Sequence, residues 1–279
     1  METEALISFI KLKSISILGC GWLGKSVGIE LIKSGYRVLG STTQLGKMEE
    51  IQAVGIKPVL LKFDPQLSDS TDHEFFQGNT LIISIPPKRK SVSTDIFLEQ
   101  MKEVIVEALK GNVSSILFIS STSVYPNVNA IVMEEDAESN AYLVKAEKLF
   151  KTEIKFKTTI LRFGGLVGKD RHPGRFLTGK KDLSGGNHVI NIIHQHDCVA
   201  IIKSIIQQDI WDVTLNACAD KHPTRKEFYM HASASLGIEL PQFLDSDESG
   251  NKIVSSEKLK QLLKYTFFYP DPMMMLECM

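Results

Sequence analysis

The stretch GCGWLGKS, Gly19 to Ser26, carries enough glycine to bring bare backbone against a phosphate, and it fits two patterns at once. Read as G-x-G-x-x-G it is the turn of a dinucleotide-binding fold; read as G-x-x-x-x-G-K-S it is a nucleoside-triphosphate loop. The residues that follow separate the two. Glycine recurs at Gly28 and Gly35, as expected of a helix packed closely on a strand and closed by a left-handed cap. A triphosphate loop also needs an acid that holds magnesium. The only strand ending in acid is VLLKFD, with Asp64, and Lys62 interrupts its apolar run. Trp22 and Leu23 are bulky for a loop that wraps phosphates, while Lys25 and Ser26 suit the polar first turn of an amphipathic helix. The dinucleotide reading is the one the sequence supports.

Which dinucleotide depends on the end of the second strand, where an acid would grip the ribose 2′-hydroxyl of NAD. Here the residues are Ser41, Thr42 and Thr43. Hydroxyls can donate to a 2′-phosphate and no carboxylate repels it, which favours NADP and leaves NAD open; the same residues could simply start a turn. The loop RHPGR, with Arg171, His172 and Arg175 followed by Lys180 and Lys181, could clamp an anionic substrate through guanidinium forks or be a solvated basic loop. His188, His194, His196 and Asp197 invite a metal reading, since His194 and His196 would share one face of a strand. Against it, Asp197 stands where a helix should start and N-capping explains it. No metal is expected.

These groups need a scaffold, and the sequence describes one. Strand-like runs at 14–18, 37–41, 57–63, 80–85, 115–120 and 158–163 alternate with helical patterns after Gly19, over 95–109 and over 139–154. Such alternation argues for βαβ units and a parallel sheet covered on both faces. The expected fold is α/β, a Rossmann-type doubly wound sheet with a smaller, partly interleaved C-terminal lobe. The core would span 14–165 with 189–217 added, and the lobe 166–188 and 218–279. In the later part, a basic, glycine-rich loop over 164–188 precedes a strand at 189–193, a helix at 198–208, a strand at 213–217 and a helix opening near Thr224. A short element at 252–254 and a helix over 255–263 close the chain.

The 279 residues carry 32 basic and 33 acidic side chains, so general attraction to nucleic acid or anionic membrane is not expected. Four scattered cysteines without a C-x-x-C pair argue against a disulfide framework or a zinc site and fit a reducing compartment. With no secretory signal pattern and no apolar run near the ~20 residues of a membrane span, a cytoplasmic protein acting on a small molecule is expected. Monomer and homodimer both stay open.

Several segments resemble the extended short-chain dehydrogenase/reductases. ISSTSVYP (119–126) resembles their Ser-Ser-x-x-Val-Tyr-Gly signature, and TILRFGGLVG (159–168) and IIHQHDCVAIIKSII (192–206) resemble two later segments. The match continues through 215–237 to YPDP (269–272), and is nearest to atypical bacterial members of the NAD-dependent epimerase/dehydratase type. The resemblance implies that Gly19, Gly21 and Gly24, with the amides of Trp22 and Leu23, bind the pyrophosphate. It places Asp64 near the adenine, Ser84, Ile85 and Pro86 along the cofactor, and Ser120 near the nicotinamide. Ser121 would hold the substrate's reacting oxygen, although strand-end capping explains it equally well. His194 matches a histidine that faces the substrate cleft.

The same resemblance exposes a departure. In that family a tyrosine four residues before a lysine is the acid/base, because the ammonium brings the phenol's pKa down from about 10. Here Tyr142 is followed four residues on by Ala146, and the lysine is Lys145. That moves the ammonium about 100° around a helix, though i,i+3 side chains are still neighbours. Anchoring on Glu147 instead puts Leu143 at the lysine position and Ser139 at the tyrosine position. Tyr125, a second phenol, is in this motif usually a packing residue. Two functions follow. One is a dehydrogenase or epimerase using Ser121, Tyr142 and Lys145; the other is a non-catalytic NADP(H)-binding sensor or regulator.

Overall fold

The computed structural model describes residues 13–64, 66–67, 73–86, 94–244 and 251–279, with only the backbone at residues 64, 66, 67, 73 and 94. Seven strands form one sheet: β1 (Ser14–Leu18), β2 (Arg37–Thr42), β3 (Lys57–Leu60), β4 (Thr80–Ile83), β5 (Ser115–Ser121), β6 (Lys157–Phe163) and β7 (Thr214–Ala217). Their order is β7-β6-β5-β4-β1-β2-β3, which contains the 3-2-1-4-5-6 order of a doubly wound dinucleotide fold. The sheet is parallel and flanked by helices. Strand burial is nearly continuous, as in β6, where every residue after Lys157 is buried. That is the pattern of strands covered on both faces.

The chain divides into two compact units, Met1–Leu117 with Glu153–Lys157, and Phe118–Thr152 with Thr158–Met279. In the first, β1 pairs with β2 and β4, with Ile17 opposite Gly40 and Ile82. Helix α1 (Trp22–Lys33) buries Leu23, Gly24, Val27, Gly28 and Leu31, one face at four-residue spacing. A Cβ on Gly28 would lie 2.5 Å from Ile56 Cδ1, so a methyl there would have to push the end of that side chain aside. The helix stops at Gly35, whose φ is +86°. Its amide donates to Ile32 at 2.9 Å and that of Tyr36 to Leu31 at 3.1 Å, which closes the carbonyls a helix end leaves open. Helices α2 (Met48–Ala53) and α3 (Thr94–Lys110) complete this unit. The strand expected over 57–63 ends at Leu60 and gives way to a two-residue strand, Phe63–Asp64. Lys62 is exposed, and continuing the buried strand would have drawn its ammonium into the core.

The second unit holds α4 (Tyr142–Lys151), α5 (Gln195–Gln207), α6 (Arg225–Ser235), α7 (Glu257–Leu263) and α8 (Pro272–Met275). Helix α4 is shorter than the 139–154 pattern; Ile154, which would have extended it, is 94% exposed. Helix α6 opens on a capping box in which Thr224 and Glu227 exchange bonds. Two small parallel pairs, Gly165–Val167 with Ile192–His194 and Ala130–Val132 with Lys252–Val254, tie distant segments together.

Candidate functional site

In the first unit the glycine loop is locked from both sides. The amide of Gly19 donates to Ser41 Oγ at 2.9 Å, and that of Cys20 to the Ser41 carbonyl at 2.8 Å. Gly19 sits at φ +94°, and a Cβ there would come within 2.7 Å of both Ile85 and the Ser84 carbonyl. A Cβ on Gly24 would lie 2.4 Å from the Gly19 carbonyl oxygen. At Gly21 a Cβ would meet nothing within 4 Å. The outer glycines are therefore demanded by the protein's own packing, whereas Gly21 keeps a space open on the ligand side. Gly21 is also the N-cap of α1, with no side-chain cap and no acid in the first turn. The first-turn amides of Trp22 and Leu23 and the helix dipole are thus presented to an anion. The residues fit a pyrophosphate.

The loop opens into a cleft of about 420 Å³ lined by Gly19, Cys20, Gly21, Ser41, Thr42, Thr43, Gln44, Lys47, Leu61, Phe63, Ile85, Pro86, Phe97 and Gln100, with Leu18 at its base. That volume lies within the range of small-molecule sites. Ile85 and Pro86 line it, while the Ser84 amide donates to the Leu18 carbonyl at 2.8 Å. Ser41 is buried and its hydroxyl supports the loop. Thr42 Oγ1 accepts the Gln44 amide at 3.2 Å, and Thr43 is exposed at the rim. The side chain of Asp64 lies outside the described residues. The apolar wall of Leu61, Phe63 and Phe97, and the cation Lys47, were not anticipated. Phe97 could have been found only by knowing that α3 is brought to the same cleft as the ends of the second and third strands. Lys25, the second half of the triphosphate motif, pairs with Glu50 of α2 and lies outside the cleft lining. Cys20 is buried in the loop, and that burial pushes its thiol up to about 11.

The second unit carries the residues expected to perform chemistry. The Ser121 hydroxyl oxygen accepts the amide of Ser123 at 3.1 Å and caps the turn Thr122–Val124. Ser120 is buried, and its hydroxyl donates to Glu147 at 2.6 Å. Arg162, on β6, donates through Nε and Nη2 to the two Glu147 oxygens at 3.0 and 2.6 Å, and through Nη1 to the Tyr125 hydroxyl and the Glu134 carbonyl, both at 2.7 Å. Tyr125 donates in turn to Asn216 at 2.6 Å. Burial pushes this phenol up to about 12, and its hydroxyl is engaged by Arg162 and Asn216.

This network sets the rotation of α4. With Glu147 facing Arg162, the buried residues of the helix are Leu143, Val144, Ala146, Glu147 and Phe150. Tyr142 is the first residue of the helix and half-buried; Lys145 is exposed. Both positions that could hold a dyad lysine are apolar and buried, Ala146 at 0% and Leu143 at 4% exposure.

In the basic loop, His172 turns inward. Its Nδ1 accepts the Gly174 amide at 3.1 Å, and burial holds its pKa below the usual imidazole value. The turn at Pro173–Arg175 is fixed on α6, with Ser233 Oγ donating to the Gly174 carbonyl at 3.0 Å. Arg171 and Arg175 project from it, exposed. His194 is the N-cap of α5, its Nδ1 accepting the His196 amide at 3.2 Å, and its ring packs 4.3 Å from that of Tyr269. Asp197, expected as that cap, is instead fully buried and binds the tail. It accepts from the Tyr265 hydroxyl at 2.7 Å and from the Phe268 and Tyr269 amides at 2.7 and 3.1 Å. A tail 70 residues away in sequence had no local signal. Among the described residues no group of three His, Cys, Asp or Glu could hold a metal ion, and no helix is long and apolar enough to cross a membrane.

No family model matches the chain. Protein YeeZ of Escherichia coli K12 is 34% identical over 272 residues, covering 95% of this chain and 99% of its own. A conserved protein from Silicibacter pomeroyi superposes with a TM-score of 0.75 at 21% identity, covering 95% and 97% of the two chains. The UDP-glucuronic acid 4-epimerase of Bacillus cereus, solved with UDP-glucuronic acid and NAD, superposes with a TM-score of 0.73 at 17% identity, covering 95% and 96%.

Proposed function

We propose that the chain, which belongs with Protein YeeZ in one family, is an atypical short-chain dehydrogenase/reductase of the epimerase/dehydratase type that binds a nicotinamide dinucleotide, NADP(H) in preference to NAD(H), and acts on a small anionic, nucleotide-sugar-like substrate by oxidoreduction or epimerisation. The observation that carries the reading is the glycine cradle. Two of its glycines are required by protein packing, and the third leaves open space at the N-terminus of α1, whose cap is a glycine with no side chain. The likeness to an epimerase solved with NAD supports the cofactor class. The acid-free Ser41, Thr42 and Thr43 support the phosphorylated form.

When bound, the nicotinamide supplies a hydride acceptor or donor. In this reading Ser121 orients the reacting oxygen of the substrate, and Tyr142 moves its proton with Lys145 as the nearest helix cation. Arg171 and Arg175 hold the substrate's anionic end from a rigid turn. A second reading, a non-catalytic NADP(H)-binding sensor, is favoured by one observation: Leu143 and Ala146 fill the positions where a buried lysine would stand.

Titration of the purified protein with NADPH and NADH tests the first step, and binding of neither removes both readings. Turnover of a carbonyl and nucleotide-sugar panel, with Tyr142→Phe as the comparison, tests the second. Activity lost in Tyr142→Phe supports the enzyme, full activity in that variant removes Tyr142 as the acid/base, and no turnover with intact NADPH binding supports the sensor.

A further inference from the structure

We propose that Lys47 is the residue that selects the 2′-phosphate of the dinucleotide; this rests on the NADP(H) reading and names its determinant. Among the described residues lining the cleft, Lys47 is the one full charge, and no described carboxylate stands there to take a ribose diol. The placement is a consequence of local structure. Strand β2 ends at Thr42, whose Oγ1 accepts the Gln44 amide. The chain then makes a single 3-10 turn, Leu45–Lys47, closed by the Lys47 amide on the Gln44 carbonyl at 3.1 Å. That turn brings Lys47 back beside Thr42 and Thr43, at the strand end where an NAD-specific acid would sit.

The neighbouring charges leave this ammonium available to a ligand. Glu50, one turn further along, is paired with Lys25 of α1. Lys47 acts on Glu50 only as a more distant charge, which adds to the lowering of the Glu50 pKa that Lys25 dominates. Glu50 is thus taken up by Lys25, and Lys47 is the charge that stands on the cleft lining. An ammonium is a point charge with three donors, suited to a phosphate dianion without fork geometry. Because Lys47 is exposed, its attraction is screened by salt.

The adenosine end can be tested alone with two probes, adenosine 2′,5′-bisphosphate and adenosine 5′-monophosphate, by calorimetric titration of the whole protein. The unaltered protein should bind the bisphosphate about tenfold tighter at low salt, with the ratio shrinking as salt rises. Lys47→Ala should bring the ratio near one while leaving the monophosphate affinity unchanged, and Lys47→Arg should keep most of it. A ratio that survives Lys47→Ala overturns the assignment while the NADP(H) preference stands. Equal binding of both probes by the unaltered protein overturns the preference and the assignment together.

Discussion

The guanidinium of Arg162 holds both carboxylate oxygens of Glu147, at 3.0 and 2.6 Å, with both side chains almost wholly buried. This pair fixes which face of α4 meets the core, and so fixes Lys145 on the outside. A buried pair need not outperform an apolar one, but removing one partner strands the other charge. Glu147→Ala should destabilise the fold by about 3–5 kcal/mol, seen as a lower urea midpoint. Lys145→Ala should change it by less than about 0.5 kcal/mol. Comparable effects of the two would contradict the rotation assigned to α4.

The three glycines of the loop should respond differently to a methyl group. Gly24→Ala places a Cβ 2.4 Å from a backbone carbonyl and should lower thermal stability along with dinucleotide affinity. Gly21→Ala meets no protein atom, so its melting temperature should stay near that of the parent while affinity falls at least about tenfold. An unchanged affinity in Gly21→Ala would mean that the pyrophosphate does not approach there.

Ser41 joins stability to binding. Its hydroxyl is the acceptor for the Gly19 amide, and Ser41→Ala leaves that part-buried donor unsatisfied at a cost of about 1–3 kcal/mol. Chemical denaturation should show this loss, and dinucleotide titration a weaker affinity. Ser41→Thr, which keeps the oxygen, should recover part of both if its extra methyl is accommodated.

Three histidines set an acid limit. Burial is the first cause that holds His172, His194 and His222 below the usual imidazole pKa, and the first two accept cap bonds that need the neutral ring. The unfolded chain takes up these protons near pH 6.5 and the fold resists them, so stability is full above that value and falls as pH drops below it. Urea midpoints measured from pH 7.5 to 5.5 should decline, and His194→Asn, which keeps a non-titrating cap, should flatten part of the slope. A midpoint that rises on acidification would refute this.

Cys20, Cys198 and Cys218 are buried and Cys278 is exposed. Burial raises the first three thiols further from ionisation, and the thiolate is the reactive form. A thiol reagent added to the native protein should label Cys278 first, and the others on the timescale of unfolding. Early labelling of Cys20 would show that the loop opens.

The sequence by itself determined the sheet and the phosphate loop, because both are written in local terms. Apolar runs mark strands buried on both faces, and Gly19, Gly24, Gly28 and Gly35 mark places where backbone comes too close, or turns too sharply, for a side chain. It also showed that the Tyr-x-x-x-Lys spacing fails at Ala146. Only the tertiary structure decided between the two ways of registering α4, since the deciding contact joins Glu147 to Arg162 and Ser120 on two separate strands. The same holds for the cleft. Lys47 belongs to no binding motif in the run QLGKMEE, and only the 3-10 turn after β2 carries it back to the loop that Gly19 begins. Asp197 reads as a helix cap along the chain, yet it binds a tail that folding brings from 68 to 72 residues away. Side-chain pairing across such separations leaves no periodic signal, so the chain alone shows the cradle, and the fold decides what charge stands beside it.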